Sequence, residues 1–287
     1  MAKVITVMNM KGGVGKTTVT TMLSSIIARY DLDGSGTYKV LAIDYDPKFN
    51  LSQSFIPSVK YFDLEKKKKT TLSILVQDDQ ALDPYKLVVP GNHTPPAVAS
   101  LATPILSGAK GRLDLVPSTL DLMYVALGQA NTQIKPIEER FEKFIDEART
   151  IYDIIIIDCH PAGSVFTKTS LGNSDHVIIP VVPQRYAVRG IGLMMNFISS
   201  KKAGAGPTPH ILFNATPRSY VTPEETAIRG NALYGKHCMG TTLKKYKAFT
   251  EVEEGKGYVW QSSKPYSTLA FGNILAVATE TLKRIGI

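Results

Sequence analysis

The chain has 287 residues, is 44% hydrophobic and 20% charged, and carries 13 tyrosines and 10 phenylalanines. That composition supports a sizeable core and excludes wholesale disorder, a collagen-like chain and a disulfide scaffold. A count of 33 basic against 25 acidic residues leaves a net charge of +8, which favours anionic partners such as nucleic acid or a membrane surface. The longest unbroken apolar runs, such as Ile154 to Ile157, fall far short of the ~20 residues a membrane span needs. Met1-Ala2-Lys3 carries no secretory pattern, and Cys159 and Cys238 are too few for a disulfide framework or a Cys-rich metal site. A cytoplasmic location is the expectation.

In chain order, Lys3 to Met8 is a short β-branched run, followed by a Gly-rich segment and a helix from Thr17 to Tyr30 with Met22, Leu23, Ile26 and Ile27 at helical spacing. Lys39 to Ile43, Leu113 to Val116, Asp153 to Ile157, His176 to Val182 and His210 to Phe213 read as further buried strands. Helices are expected from Pro136 to about Tyr152, around Ala187 to Ser200, from Pro223 to Tyr234 and from Ser267 to Arg284. Continuous apolar strands alternating with helices predict an α/β fold, a doubly wound and mostly parallel sheet covered on both faces. The lysine run Lys66 to Lys69 reads as a solvated loop or an accessory anion contact, and Pro84 to Lys110, rich in Pro, Gly, Ser and Ala, as a surface excursion. The whole excursion is placed around residues 78–111 of a single domain spanning 1–287.

The most specific signal is Lys11-Gly12-Gly13-Val14-Gly15-Lys16-Thr17-Thr18, set between the first strand and the first helix. Glycines there let backbone N–H groups turn inward and approach phosphate oxygens. The helix N-terminus adds partial positive charge. Lys16 reaches the β- and γ-phosphates, and the Thr17 hydroxyl joins a Mg²⁺ shell. Asp44-Tyr45-Asp46-Pro47 follows the second strand, where the C-terminal edge of a parallel sheet exposes carboxylates that orient water or join the outer Mg²⁺ shell. The same residues also suit a turn. Ile154-Ile155-Ile156-Ile157-Asp158 delivers one carboxylate to that edge, where it holds Mg²⁺ through water. Cys159 and His160 read as packing or switch residues, because phosphoryl transfer needs positioning and charge neutralisation rather than a covalent nucleophile.

Met10 stands where the strict phosphate-loop pattern has glycine, and Lys11 follows as a second lysine. On these residues the sequence resembles the ParA/MinD family of deviant Walker A ATPases, whose signature is KGGxGKT[ST]. The resemblance implies an ATP- and Mg²⁺-dependent ATPase. Lys11 would reach the partner's phosphates across an ATP-sandwich homodimer, Asp46 would position the attacking water with Asp44 in support, and Asn214 would read adenine with Arg218 beside it. Lys48 and Gln184 stand where the family usually has Gln and Glu. Further landmarks follow in order at Thr71 to Leu75, Leu113 to Ser118 and Tyr186 to Gly190.

ParA-type members bind nonspecific DNA as ATP dimers and release it when a ParB-like, centromere-bound partner stimulates hydrolysis; MinD-type members use a C-terminal amphipathic helix on membranes. The last residues, Glu280 to Ile287, lack an aromatic, Lys-rich face, so no membrane contact is expected. Lys244, Lys245 and Lys247 stand where ParA-type members carry DNA-contacting residues, although a solvated helix start has the same composition. The phosphate loop begins by residue 11, so no N-terminal helix-turn-helix domain is expected. The leading expectation is thus a plasmid or chromosome partition ATPase, nucleoid-associated when ATP-bound; the alternative is a membrane or cargo-positioning ATPase. An iron-sulfur reductase is discounted by the cysteine positions, and a synthetase by the lack of a second substrate signature.

Overall fold

The computed structural model describes residues 2–76, 90–108, 111–126, 131–160, 165–185, 187–199 and 206–287. Asp78, Asp79, Tyr186 and part of the expected excursion lie outside them.

Seven strands form one sheet: β1 (Lys3–Val7), β2 (Lys39–Tyr45), β3 (Thr103–Ser107), β4 (Arg112–Val116), β5 (Ile154–Cys159), β6 (His176–Val181) and β7 (Thr208–Phe213). Their spatial order is β3-β4-β2-β5-β1-β6-β7, and every pairing is parallel except β3 with β4. Helices α1 (Lys16–Arg29), α2 (Asn50–Phe55), α3 (Ser58–Lys66), α4 (Thr71–Leu75), α5 (Val98–Leu101) and α6 (Leu122–Ala126) accompany the first half. Helices α7 (Asn131–Ile151), α8 (Val165–Asn173), α9 (Ala187–Ser199), α10 (Pro223–Arg229), α11 (Lys247–Glu253) and α12 (Ser267–Ile285) complete the chain.

The four isoleucines of β5 show why the run is a two-faced strand. Ile155 and Ile157 pack with Phe141, Phe144 and Phe166 on one side, while Ile154 and Ile156 pack with Met22, Ile26 and Ile274 on the other. Successive side chains of a strand point to opposite faces, so a continuous apolar run needs helices on both.

Three expectations are corrected. The Pro84–Lys110 stretch is not all surface excursion: Thr103–Ser107 joins the sheet as its antiparallel edge strand, and Ile105 and Leu106 pack on the core. Pro104, which cannot donate to a ladder, is tolerated because the strand is at the edge and its register shifts between Pro104 and Leu106. Helix α7 begins at Asn131 rather than Pro136; Ile134 packs against the core and holds the turn ahead of the proline, at the loss of one backbone bond. Helix α10 stops at Arg229 rather than Tyr234, since the Asn231 side chain accepts from the amides of Leu233 and Tyr234 and turns the chain.

The sheet places the ends of β1, β2 and β5 side by side. Val7 and Asp44 are both in register with Asp158, so the Gly-rich loop and two carboxylates emerge together at the C-terminal edge, where open α/β sheets bind ligands.

Candidate functional site

The loop from Lys11 to Thr18 is held from both sides. The Asn9 side chain donates to the Pro180 carbonyl at 2.7 Å and accepts the Lys11 amide at 3.0 Å, tying the loop's start to the end of β6. Gly15 caps α1 with φ 84°, in the left-handed region. A Cβ there would lie 2.1 Å from Asn214 Nδ2, which itself donates to the Val14 carbonyl at 2.8 Å. Only glycine fits that position, for its backbone angle and for the space. The expected base-reading Asn214 is thus buried at the end of β7 and bonded to the phosphate loop itself.

Lys16 and Thr18 lie buried in the first turn of α1. The Thr17 hydroxyl donates to Asp158 Oδ2 at 2.7 Å. Lys11 is exposed at the rim, and its Nζ donates to Gln184 Oε1 of the same chain at 2.8 Å. Gln184, which in the sequence is only a departure from the family pattern, therefore holds the second lysine in cis.

Asp158 meets this loop through Thr17, and Asp44 and Asp46 lie close enough to act on one another and on Asp158 through their fields. Burial first, and then the field of Asp46, lift Asp158 to about 7 against the pull of Thr17 and Lys16. Asp44 is likewise pushed well above the usual carboxylate range, by burial and by Asp158. Its Oδ2 accepts both the amide and the hydroxyl of Ser52, at 2.8 and 2.6 Å. Asp46 Oδ1 accepts the Lys48 amide at 3.0 Å, so Asp46 shapes its own turn. Buried carboxylates strained toward protonation beside a threonine hydroxyl suit a hard divalent cation, which takes oxygen ligands and relieves that strain. The donor set fits Mg²⁺.

Cys159 is buried, its thiol pushed up to about 12, above all by burial, and it lies 3.3 Å from the Ser170 hydroxyl. The His160 ring stands against Phe166. Both take packing positions.

Beyond Asn214, the Arg218 guanidinium lies 4.1 Å from the Tyr266 ring centroid and 5.8 Å from that of Tyr246. These residues line an open cavity of about 410 Å³ with Lys245 and Lys247. Lys245 and Lys247 are exposed and Lys244 half-buried; the Lys244 amide is fixed by Asn273 and that of Lys245 by the Thr216 carbonyl. Lys247 opens α11. Arg218 and the lysines thus share one surface, together with two tyrosines that sequence reasoning did not single out.

A Gly-rich loop between the first strand and first helix, with a lysine, a threonine and a strand-end aspartate converging on it, defines a P-loop nucleotide-binding ATPase fold. The AAA domain family's profile matches residues 2–205, and the chain belongs to that family as a ParA/MinD-type P-loop ATPase. It is 29% identical over 198 residues to the sporulation initiation inhibitor protein Soj of Bacillus subtilis, covering 69% of this chain and 65% of Soj. Its fold is that of a plasmid partition protein from Borrelia burgdorferi bound to AMPPNP, with TM-score 0.71, 21% identity, and 99% of this chain and 100% of that one covered. It also matches pNOB8 ParA bound to nonspecific DNA, with TM-score 0.65, 20% identity and coverage of 100% and 99%.

Proposed function

We propose that this chain is a Mg²⁺-dependent ATPase that forms an ATP-sandwich dimer, binds nonspecific DNA and drives plasmid or chromosome partition. A ParB-like, DNA-bound partner stimulates its hydrolysis. The observation that carries the reading is the convergence of Lys16, Thr17 and Asp158 under the Gly-rich loop, with Lys11 exposed at its rim.

In this reading the loop amides and Lys16 bind the β- and γ-phosphates, and Asn214 holds the loop in shape while flanking the base. Thr17, with Asp158 and Asp44 behind it, would hold Mg²⁺, which when bound neutralises charge on the phosphates. Asp46 orients the attacking water. Lys11 leaves Gln184 and reaches the partner's phosphates, so nucleotide binding and dimerisation become one event, as with a charge supplied in trans. Lys244, Lys245 and Lys247 contact DNA phosphates without reading sequence, which would draw the ATP-bound protein to the nucleoid. The likeness to Soj and to pNOB8 ParA supports this over membrane positioning. The apolar face of α12 (Ile274, Val277, Leu282 and Ile285) is buried in the core rather than free to lie on a bilayer. No helix among the described residues is long and apolar enough to cross a membrane.

The test is fluorescence anisotropy on random-sequence duplex DNA with ATP–Mg²⁺, ADP–Mg²⁺ or no nucleotide, across a salt series. Tight, salt-sensitive binding with ATP alone is expected. Equal binding in all three states would remove the nucleotide switch, and no binding in any would overturn the DNA reading.

A further inference from the structure

The two aspartates at the end of β2, Asp44 within it and Asp46 just beyond, are joined by a closed path of buried serines. Ser52, on α2, gives both its amide and its hydroxyl proton to Asp44 Oδ2. Its remaining hydroxyl capacity accepts the Ser118 amide at 2.9 Å. The Ser118 hydroxyl proton in turn goes to the Asp46 backbone carbonyl at 2.7 Å. Both serines are fully buried, so the hydroxyls have no water to turn to. Thr71 closes the path from behind, its hydroxyl shared between the Asp44 and Pro117 carbonyls at 2.7 and 3.0 Å. The Ser118 carbonyl is itself pinned by the Tyr61 hydroxyl at 3.1 Å.

We infer that Ser118 is a positioning residue for hydrolysis: one side chain and one amide fix the Asp46 backbone and the Asp44–Ser52 pair in the same frame. The inference rests on reading Asp46 as the residue that orients the attacking water. The physical reason is geometric. The other bonds on Asp46 itself are local, the Lys48 amide on its carboxylate and the Phe49 amide on its carbonyl, while the residues before it are held by the β2–β5 pairing and by the His160 amide on the Tyr45 carbonyl at 3.2 Å. Local bonds shape a turn but do not by themselves fix the residue that follows the strand. The Ser118 bonds, which span 66 and 72 residues, tie it to the end of β4 and through that strand to the sheet. An attacking water must be placed within a fraction of an ångström, and misplacement by ~1 Å costs about 100-fold in rate.

The experiment is steady-state ATP hydrolysis by Ser118→Ala, with Asp46→Ala, the double variant and Ser24→Ala beside it. Ser24 is an equally buried serine on α1 that bonds only helix carbonyls, so it reports the cost of losing a buried hydroxyl as such. The expected result is a fall in kcat of about 10-fold for Ser118→Ala with KM within about 2-fold. Ser24→Ala should keep wild-type kcat, and the double variant should be no slower than Asp46→Ala. In the nucleotide-free protein, the Phe49 amide should exchange faster with solvent in Ser118→Ala. Unchanged kcat and exchange, or an equal fall in Ser24→Ala, overturns the role of Ser118 and leaves Asp46 untouched. Normal turnover by Asp46→Ala instead overturns the reading beneath it.

Discussion

The Thr17 hydroxyl donates to Asp158 at 2.7 Å across 141 residues of sequence. One bond thereby joins the first turn of α1 to the end of β5. Asp158 is buried with its carboxyl lifted to about 7, so its charged form is costly to the empty protein and useful to a cation. A carboxyl raised in the fold favours the folded state when protonated, and that contribution fades as pH rises through about 7. Asp158→Asn keeps an acceptor for Thr17 and removes the charge. The nucleotide-free variant should melt a few degrees higher than wild type at pH 8, with the gap narrowing toward pH 5, and should lose Mg²⁺-dependent ATP binding. Scanning calorimetry and titration with a fluorescent ATP analogue check both.

Gly15→Ala places a methyl carbon 2.1 Å from the Asn214 side chain at a backbone angle of φ 84°. Loop and asparagine cannot both stay in place. ATP affinity should fall at least about 10-fold, with a loss of about 1–2 kcal/mol in stability from the left-handed angle and the steric clash. Lys16→Ala should abolish ATP binding while leaving the melting temperature close to wild type. Isothermal titration beside thermal melts separates the two cases.

Lys244→Ala with Lys245→Ala should weaken duplex binding for every sequence alike and flatten its dependence on salt. The slope of log affinity against log salt should drop by about 1 for each DNA phosphate that a lysine no longer neutralises, with ATP hydrolysis retained. Anisotropy on two unrelated duplexes at four salt concentrations measures it. An unchanged slope would place the DNA surface elsewhere.

His176 Nδ1 lies 3.1 Å from His210 Nε2 at the opposite, N-terminal ends of β6 and β7. Burial pushes His210 down to about 4, helped by the fields of His176, Arg284 and His237 and opposed by Glu280. His176 is lowered as well, by burial and Lys3, against Asp175. The unfolded chain takes up protons near pH 6.5 while the folded pair resists until lower pH. The contribution of this pair to stability should therefore fall as pH drops from about 6.5 toward about 4, opposite in sign to that of Asp158. The urea midpoint of His210→Gln relative to wild type, measured at pH 7.5, 6 and 5, should rise as pH falls.

The parts of this molecule that were legible in the sequence are those set by neighbours along the chain. The isoleucine run of β5 could only be a strand buried on two faces, and Gly12 to Thr18 could only be a loop opening a helix. The edge strand Thr103–Ser107 was not legible, because Pro104 and the loop-like composition around it argue locally against a strand and only pairing with β4 makes it one. The start of α7 and the end of α10 were missed for the same reason: Ile134 finds the core and Asn231 turns the chain back, and neither interaction has a period to read.

The sequence by itself determined the fold class and the phosphate loop, because hydrophobic period, glycine spacing and strand-end aspartates act over a few residues. Only the tertiary structure decided which side chains share a site. It put Asn214 on the Val14 carbonyl, Gln184 on Lys11, and Ser118 between Asp44 and Asp46. A serine's single proton or an amide's direction leaves no pattern along the chain. Those bonds form only once burial has removed water and the sheet has brought together residues that lie dozens to hundreds of positions apart.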